Sequence, residues 1–191
     1  MDNLSRIELS AEAALTILLL YCFGDIKVIA SFSAAIIAHE IGHAAAIILC
    51  GGEIRGVHAD IKGFCIDYKT VESFGKNILV AFAGPAAGLI YAAIAMSICG
   101  EAAALSADMS VILSMFNLLP AMPLDGGRIT KWLLIVRIGE SAGREAAQKI
   151  SNVTAVIVLI AGIVLLVKHK GAAALTAAIW ILFCQKESED L

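Results

Sequence analysis

The sequence predicts an all-α integral membrane protein with about six transmembrane helices and a small membrane-associated β-hairpin. Of its 191 residues, 60% are hydrophobic and only 16% are charged, which is too apolar for a soluble domain. Apolar segments long enough, or nearly so, to cross a bilayer recur along the chain. We therefore expect one polytopic membrane domain that fills residues 1–191.

Six apolar segments are the predicted membrane spans. The first follows Arg6 and resembles a weak signal peptide, but no small-residue cleavage site comes after it, so we expect it to be retained as a helix. The last span is short and is preceded by a tight loop. In chain order the spans are roughly 10–24, 28–50, 75–100, 104–119, 151–168 and 171–185.

The basic residues lie unevenly on the two sides of these spans. If both termini are cytoplasmic, eleven of the 14 Lys and Arg residues lie on the inner side. The outer side then holds only Lys27, Lys168 and Lys170. This asymmetry follows the positive-inside rule and predicts that the second span runs inward. The net charge of −3 is too small to indicate a nucleic-acid partner.

Between the second and third spans, the segment 57–68 alternates between apolar and polar residues. This pattern is typical of strands and predicts a β-hairpin over residues 53–69 that turns at Lys62-Gly63. A free strand edge there would be able to pair with an extended peptide. The alternative is an amphipathic connector on the membrane surface, and both interpretations stay open.

The five cysteines give no sign of a structural metal site. No two of them have the CxxC spacing of zinc ligands, so we interpret them as small buried apolar residues. A disulfide between Cys22 and Cys99 is a minor alternative.

A candidate zinc-binding motif lies inside the second span. It reads HEIGH, from His39 to His43, within the apolar run 31–50. Two imidazoles and a carboxylate are costly within a membrane, so they need a partner or a function. Residues four apart share one helix face, so both imidazoles can bind one zinc ion with Glu40 beside it as general base. The site would lie about 10 Å from the helix end, nearer the cytoplasm.

A second motif, NLLPAMPLDGGR, follows the fourth span from Asn117 to Arg128. Its prolines and glycines exclude a continuous helix, and such backbone at membrane depth needs protein or a water-filled cavity around it. Catalytic zinc usually has three protein ligands, and Asp125 can supply the third. Asn117 can bind the scissile peptide or an oxyanion. Alternatively, Asp125 only caps the helix that follows.

Together the two motifs resemble the site-2 protease family of intramembrane zinc metalloproteases. The resemblance covers a catalytic core of about 28–130 and implies one zinc ion per chain. It implies His39, His43 and Asp125 as zinc ligands and Glu40 as the catalytic base. It also implies that Asn117, Pro120 and Pro123 contact the substrate.

One position departs from the family's pattern. The third span carries Gly84-Pro85-Ala86-Ala87-Gly88, whereas the family's helix often reads Gly-Pro-x-x-Asn. The polar contact of that asparagine is therefore not expected here, and the glycines favour close helix packing.

The resemblance predicts a minimal member of the family. The spans leave no room for a PDZ domain, and few residues follow the sixth span, so no regulatory nucleotide-binding domain is expected. This form resembles the sporulation-type branch, that of stage IV sporulation protein FB, which cleaves a sigma-factor precursor. The expected location is the bacterial cell membrane, with both termini cytoplasmic.

The expected function is regulated intramembrane proteolysis. The substrate would be a membrane-bound protein, such as a transcription-factor precursor, that is cut in or near a transmembrane segment. The expected partners are that substrate, the lipid bilayer and a regulatory membrane protein. Two alternatives stay open: a metal transporter or sensor, since histidines and carboxylates also line metal pathways, and an inactive relative that acts as a binding scaffold.

Overall fold

The computed structural model describes residues 7–9, 25–60, 63–68, 73–169 and 173–189. They form two compact units, Met1–Asn117 and Leu118–Leu191. The elements of the first unit are β1 (Ile7–Leu9), α1 (Ile26–Leu49), β2 (Ile54–Asp60), β3 (Gly63–Tyr68), α2 (Phe74–Met96) and α3 (Glu101–Asn117). Those of the second unit are α4 (Asp125–Ile138), α5 (Glu140–Val167) and α6 (Ala173–Glu189).

The first unit is built around a bundle in which α1, α2 and α3 each contact the other two. Small residues let these helices approach closely, as is usual in membrane bundles. A Cβ added at Gly42 in α1 would overlap the carbonyl oxygen of Ala83 in α2. At the far end of the bundle, Ser106 of α3 donates a hydrogen bond to the carbonyl of Ser31 in α1 at 3.4 Å. The three helices therefore support one another around the buried face of α1.

Helix α1 is fixed at both ends by its own sequence. The carboxylate of Asp25 accepts a hydrogen bond from the backbone N–H of Lys27 at 2.8 Å and so caps the first turn. At the other end Gly51 has φ of +81°, and the N–H of Gly52 donates to the carbonyl of Ile47 at 2.8 Å. This is the glycine-terminated Schellman arrangement. It ends the helix at the point where the chain turns into β2.

A three-stranded sheet follows α1, in the order β1-β2-β3. Strands β2 and β3 are antiparallel, with Asp60 opposite Gly63, so the turn falls at residues 61–62, which lie outside the described residues. This is the segment in which the sequence predicted a hairpin. Strand β1 was not anticipated, and it pairs with β2 in parallel from Ile7 opposite Val57. Its short apolar-polar-apolar run fits an edge strand.

The second unit consists of α4, α5 and α6, of which α5 contacts both others. Gly139, with φ of +88°, separates α4 from α5. A Cβ added at Gly143 would meet the backbone of Ile135, so this glycine allows the two helices to cross closely. Helix α4 was expected only under the alternative in which Asp125 caps the helix that follows; its 14 residues are too few and too polar for a membrane span.

Three described helices, α1, α2 and α5, are long and apolar enough to cross a membrane. Helices α3 and α6 have 17 residues each, and the span expected at 10–24 lies outside the described residues. Helix α5 begins at Glu140, eleven residues before the predicted start of its span, with a polar first part. The protein is therefore a multi-pass membrane protein, and the total of six spans stays a prediction.

Large aliphatic side chains cover the outer surface of these helices. Ile41 in α1 is 61% exposed, and Ile160 in α5 is 56% exposed. Such exposure would be unfavourable in water and suits contact with lipid. Among the described cysteines, Cys50 and Cys184 are buried thiols and Cys99 is an exposed one. Cys22 lies outside the described residues, so the minor disulfide alternative stays untested.

Candidate metal centre

Helix α1 presents the two motif histidines on its buried face. His39 is 4% exposed and His43 is 7% exposed, although neither lies in a polar segment. Their rings meet edge to face with centroids 4.8 Å apart. The Nε2 atoms of the two rings face each other at 3.1 Å. The spacing of four residues therefore brings two ring nitrogens together, as predicted.

A main-chain hydrogen bond fixes the orientation of the His43 ring. Its Nδ1 atom lies 2.8 Å from the carbonyl oxygen of Val80 in α2. Since a carbonyl oxygen only accepts, Nδ1 carries the proton and donates a hydrogen bond to the Val80 carbonyl. The neutral ring then has its lone pair on Nε2, on the side of His39. This is the tautomer that a metal-binding imidazole needs, with the other nitrogen held by a neighbouring acceptor.

Gly84, one turn further along α2, makes room for the His43 ring. A Cβ added to this glycine would overlap Nε2, the atom that faces His39. From the sequence, Gly84 was expected only to allow close helix packing. Its position shows a more specific reason for a glycine, because any larger side chain would have to displace the imidazole.

The histidine pair fits zinc by donor type and by distance. Imidazole nitrogens bind zinc at about 2.0–2.1 Å, so two of them in a tetrahedral site lie roughly 3.3 Å apart. The observed Nε2 separation of 3.1 Å is close to that value. Glu40, the residue after His39, is partly buried in the same helix. The first unit therefore combines two zinc-type donors with an adjacent carboxylate.

Asp125 lies in the second unit, at the first position of α4, and is 6% exposed. The amino end of a helix favours a carboxylate, because unpaired backbone N–H groups point towards it. The guanidinium of Arg128 lies 3.6 Å from the Asp125 carboxylate. Further along α4, burial lowers the pKa of Lys131, and the nearby positive charges of Arg144 and Arg128 lower it more.

The residues before α4 form a non-helical segment that is held by close backbone contacts. Cβ atoms added at Gly126 and Gly127 would overlap the backbone of Leu118 and Ala121, respectively. The N–H of Met122 donates a hydrogen bond to the hydroxyl of Ser151 in α5 at 2.8 Å. The two glycines of the PLDGG motif therefore allow the segment to fold against the first turn of α4. Pro120 and Pro123 in this segment are partly buried, and the Met122–Pro123 peptide bond is cis.

Asn117 is the last residue of α3 and belongs to the first unit. One N–H of its amide donates to the carbonyl of Leu113 at 3.0 Å. A primary amide has two N–H donors, so Asn117 has a second one. Two turns earlier in α3, the hydroxyl of Ser110 donates a hydrogen bond to the carbonyl of Gly88 at 2.8 Å. Two serines touch Gly88, Ser110 and Ser114, and neither was expected from the sequence because both lie in an apolar helix outside either motif.

Residues 11–138 match the family model described as Peptidase M50B-like, which is about two-thirds of the chain. The chain belongs to this family. The predicted resemblance to site-2 proteases is thereby confirmed. The finer resemblance to the sporulation-type branch stays a prediction.

Two M50B-like relatives are named as zinc metalloproteases. The chain is 31% identical to zinc metalloprotease Rip3 of Mycobacterium tuberculosis over 168 residues, or 78% of this chain and 41% of that protein. It is 30% identical to zinc metalloprotease sll0528 of Synechocystis over 108 residues, or 51% of this chain and 28% of that protein. The chain thus spans less than half the length of either relative.

The M50B-like chain also has the fold of a solved structure, the site-2 protease from Methanocaldococcus jannaschii. The TM-score is 0.70 over 91% of this chain and 84% of that one, at 19% sequence identity. At this identity the likeness concerns the fold, and it supports the membrane-protein architecture described above.

Proposed function

We propose that the protein is a zinc-dependent intramembrane endopeptidase that cuts a peptide bond in or near a transmembrane segment of its substrate. The observation that carries the proposal is the pair of buried imidazoles, whose Nε2 atoms lie 3.1 Å apart inside an apolar helix. In such a helix, buried ionisable residues generally mark a functional site. The names of the two relatives support the same chemistry.

The zinc ligands in this proposal are His39, His43 and Asp125. Each is buried, and together they form the set of two imidazoles and one carboxylate that suits a catalytic zinc site with one open position. When bound, zinc supplies a Lewis acid that acidifies water and polarises a carbonyl group. One zinc ion per chain is expected.

Glu40 acts as the general base and then as the general acid. Its carboxylate takes a proton from the attacking water and returns it to the leaving amine, so the peptide bond is cleaved without net proton change at the carboxylate. Asn117 donates its second amide N–H to the developing oxyanion. Pro120 and Pro123 contact the substrate chain, in a segment whose backbone does not follow a helix.

The substrate is a membrane-bound protein whose transmembrane helix unwinds locally, because a helix keeps its carbonyl groups in internal hydrogen bonds. The outer edge of β3 binds the unwound stretch as an added strand. Strand β1 already pairs with the other edge of the hairpin, and of the two outer strands β3 is the longer, with six residues against three. The biological role is regulated intramembrane proteolysis in the bacterial cell membrane, with both termini cytoplasmic, a single catalytic domain and a membrane protein as regulator.

Metal removal tests the proposed function. Purified protein is incubated with a model transmembrane substrate before and after treatment with a chelator, and cleavage is followed by the appearance of products. We expect cleavage to stop after chelation and to return when one equivalent of zinc is added. Cleavage that continues in the metal-free protein would rule out a zinc peptidase. Zinc flux into vesicles without any cleavage would instead indicate the transporter.

The role of the sheet edge gives a separate prediction. A proline in β3, at a residue whose N–H points away from β2, removes a donor from the outer edge without breaking the hairpin. We expect KM for a transmembrane substrate to rise about tenfold, the effect of about 1.4 kcal/mol of lost binding, while zinc content stays the same. Equal losses of cleavage and of zinc binding would show that the sheet supports the fold and not the substrate.

A further inference from the structure

Ser114 carries a buried hydroxyl that neither the fold nor the proposed chemistry uses. Its side chain is fully buried in α3, and its Oγ atom has no hydrogen-bond partner among the described residues. An unpaired hydroxyl of this kind is destabilising, because the group has lost its hydrogen bonds to water and gained none. Such a group therefore needs an explanation, and a bound water molecule or a role at a functional site is the usual one.

Two serine hydroxyls converge on the same glycine. A Cβ added at Gly88 of α2 would overlap the Oγ atom of Ser114 and would lie 3.3 Å from that of Ser110. Ser110 donates a hydrogen bond to the Gly88 carbonyl at 2.8 Å, so its oxygen still has lone pairs that can accept one. Ser114 can both donate and accept. The two hydroxyls together provide the minimum of two polar partners that a buried water molecule needs.

The glycine on which this pair converges, Gly88, lies one turn along α2 from Gly84. Gly84 contacts the His43 ring, and Gly88 contacts the Ser114 hydroxyl. Residues four apart on a helix have Cβ positions about 5–6 Å apart on one face. One or two water molecules at ordinary hydrogen-bond lengths of about 2.8 Å can bridge that distance. All these residues belong to the first unit.

We propose that Ser114 is a positioning residue that binds a water molecule beside the peptidase site, with Ser110 as its second partner. The inference rests on the proposed function, because hydrolysis consumes one water molecule in each turnover. In a membrane, that water has to be stored or delivered by polar groups of the protein. The hydroxyl is left without a protein partner so that it can hold this water.

The test compares Ser114→Ala, Ser114→Thr and Ser110→Ala in the purified, zinc-loaded full chain. For Ser114→Ala we expect kcat to fall at least about fivefold, the kinetic equivalent of one hydrogen bond, with KM and zinc content unchanged. Its unfolding midpoint should stay the same or rise, since no protein hydrogen bond is lost. Ser114→Thr, which keeps the hydroxyl, should recover most of kcat.

Ser110→Ala provides the structural comparison. It removes the observed bond to the Gly88 carbonyl, so its unfolding midpoint should fall, in contrast to that of Ser114→Ala. If the wild type cleaves the substrate and Ser114→Ala has the same kcat, the inference is overturned. The proposed function is then unaffected. A drop in unfolding midpoint or zinc content in Ser114→Ala that accounts for the lost activity would also overturn it. Failure of the wild type itself to cleave would instead contradict the proposed function.

Discussion

Replacing Glu40 by glutamine is expected to abolish peptide hydrolysis while the protein keeps its zinc. Glutamine has nearly the shape of glutamate but cannot take a proton from water at neutral pH. Positioned general acid–base groups contribute roughly 10²- to 10⁴-fold to rate, so kcat should fall by at least about 100-fold. The contact between the two Nε2 atoms and the hydrogen bond from His43 to the Val80 carbonyl do not involve this side chain. Zinc content per chain should therefore stay at the wild-type value.

The measurement is cleavage of a model transmembrane substrate by both proteins at equal zinc content. Glu101→Gln is a matched control, since Glu101 is an exposed carboxylate in the first turn of α3. It should cleave like the wild type. Equal cleavage by Glu40→Gln would show that another group is the base, or that a contaminating protease is present. Zinc uptake that survives the substitution, without any hydrolysis, would favour a transporter.

Replacing Gly84 by alanine is expected to cause the second large effect, on zinc binding itself. On helix propensity alone, a change from glycine to alanine in the middle of a helix stabilises by about 1 kcal/mol. Here the new methyl group would overlap the Nε2 edge of His43, so the ring has to leave the position in which it faces His39. Disturbing the orientation of a metal ligand typically weakens metal binding roughly 10- to 100-fold. We expect a loss of that order in zinc affinity, with cleavage falling in parallel.

Gly75→Ala, on the same helix, separates this effect from a general response to alanine. Among the described residues, a Cβ at Gly75 would meet only the hydroxyl of Ser73, at 4.0 Å. This variant should bind zinc like the wild type and unfold at the same or a higher temperature. The comparison uses zinc titration with a competing chelator. If both variants bind zinc equally well, Gly84 does not serve to make room for the imidazole.

The residues that carry the proposed chemistry were more predictable from the sequence than the residues that hold them in position. His39 and His43 could be placed on one face because the helical period is fixed and their spacing is four. The identity of Asp125 as a candidate came from the unusual proline and glycine content around it. Helical periodicity, residue composition and the family resemblance were enough to predict these residues. Knowledge of which helices contact one another was not needed.

The residues that hold the site in position act through contacts between helices, and sequence patterns within one helix do not predict such contacts. The acceptor for His43 is the carbonyl of Val80, 37 residues away in the chain. Gly84 matters because α2 passes the imidazole at that level. Strand β1 pairs with β2, about 50 residues away in the sequence. A strand of three residues is too short for its alternation of apolar and polar residues to be recognised. Helix α4 was expected only under the capping alternative for Asp125, because a short, mixed segment has no clear periodicity of its own.

The bond between His43 and Val80 has a consequence for genetics. The acceptor is a main-chain oxygen, and every residue type that is compatible with a helix supplies the same atom at this position. A library of substitutions at position 80 would therefore record the fit of a fully buried side chain and would not reveal the atom that orients the histidine. A change that shifts α2 along its own axis would move this carbonyl oxygen away from His43. This part of the site therefore depends on the backbone position of α2 and not on the side chain at position 80.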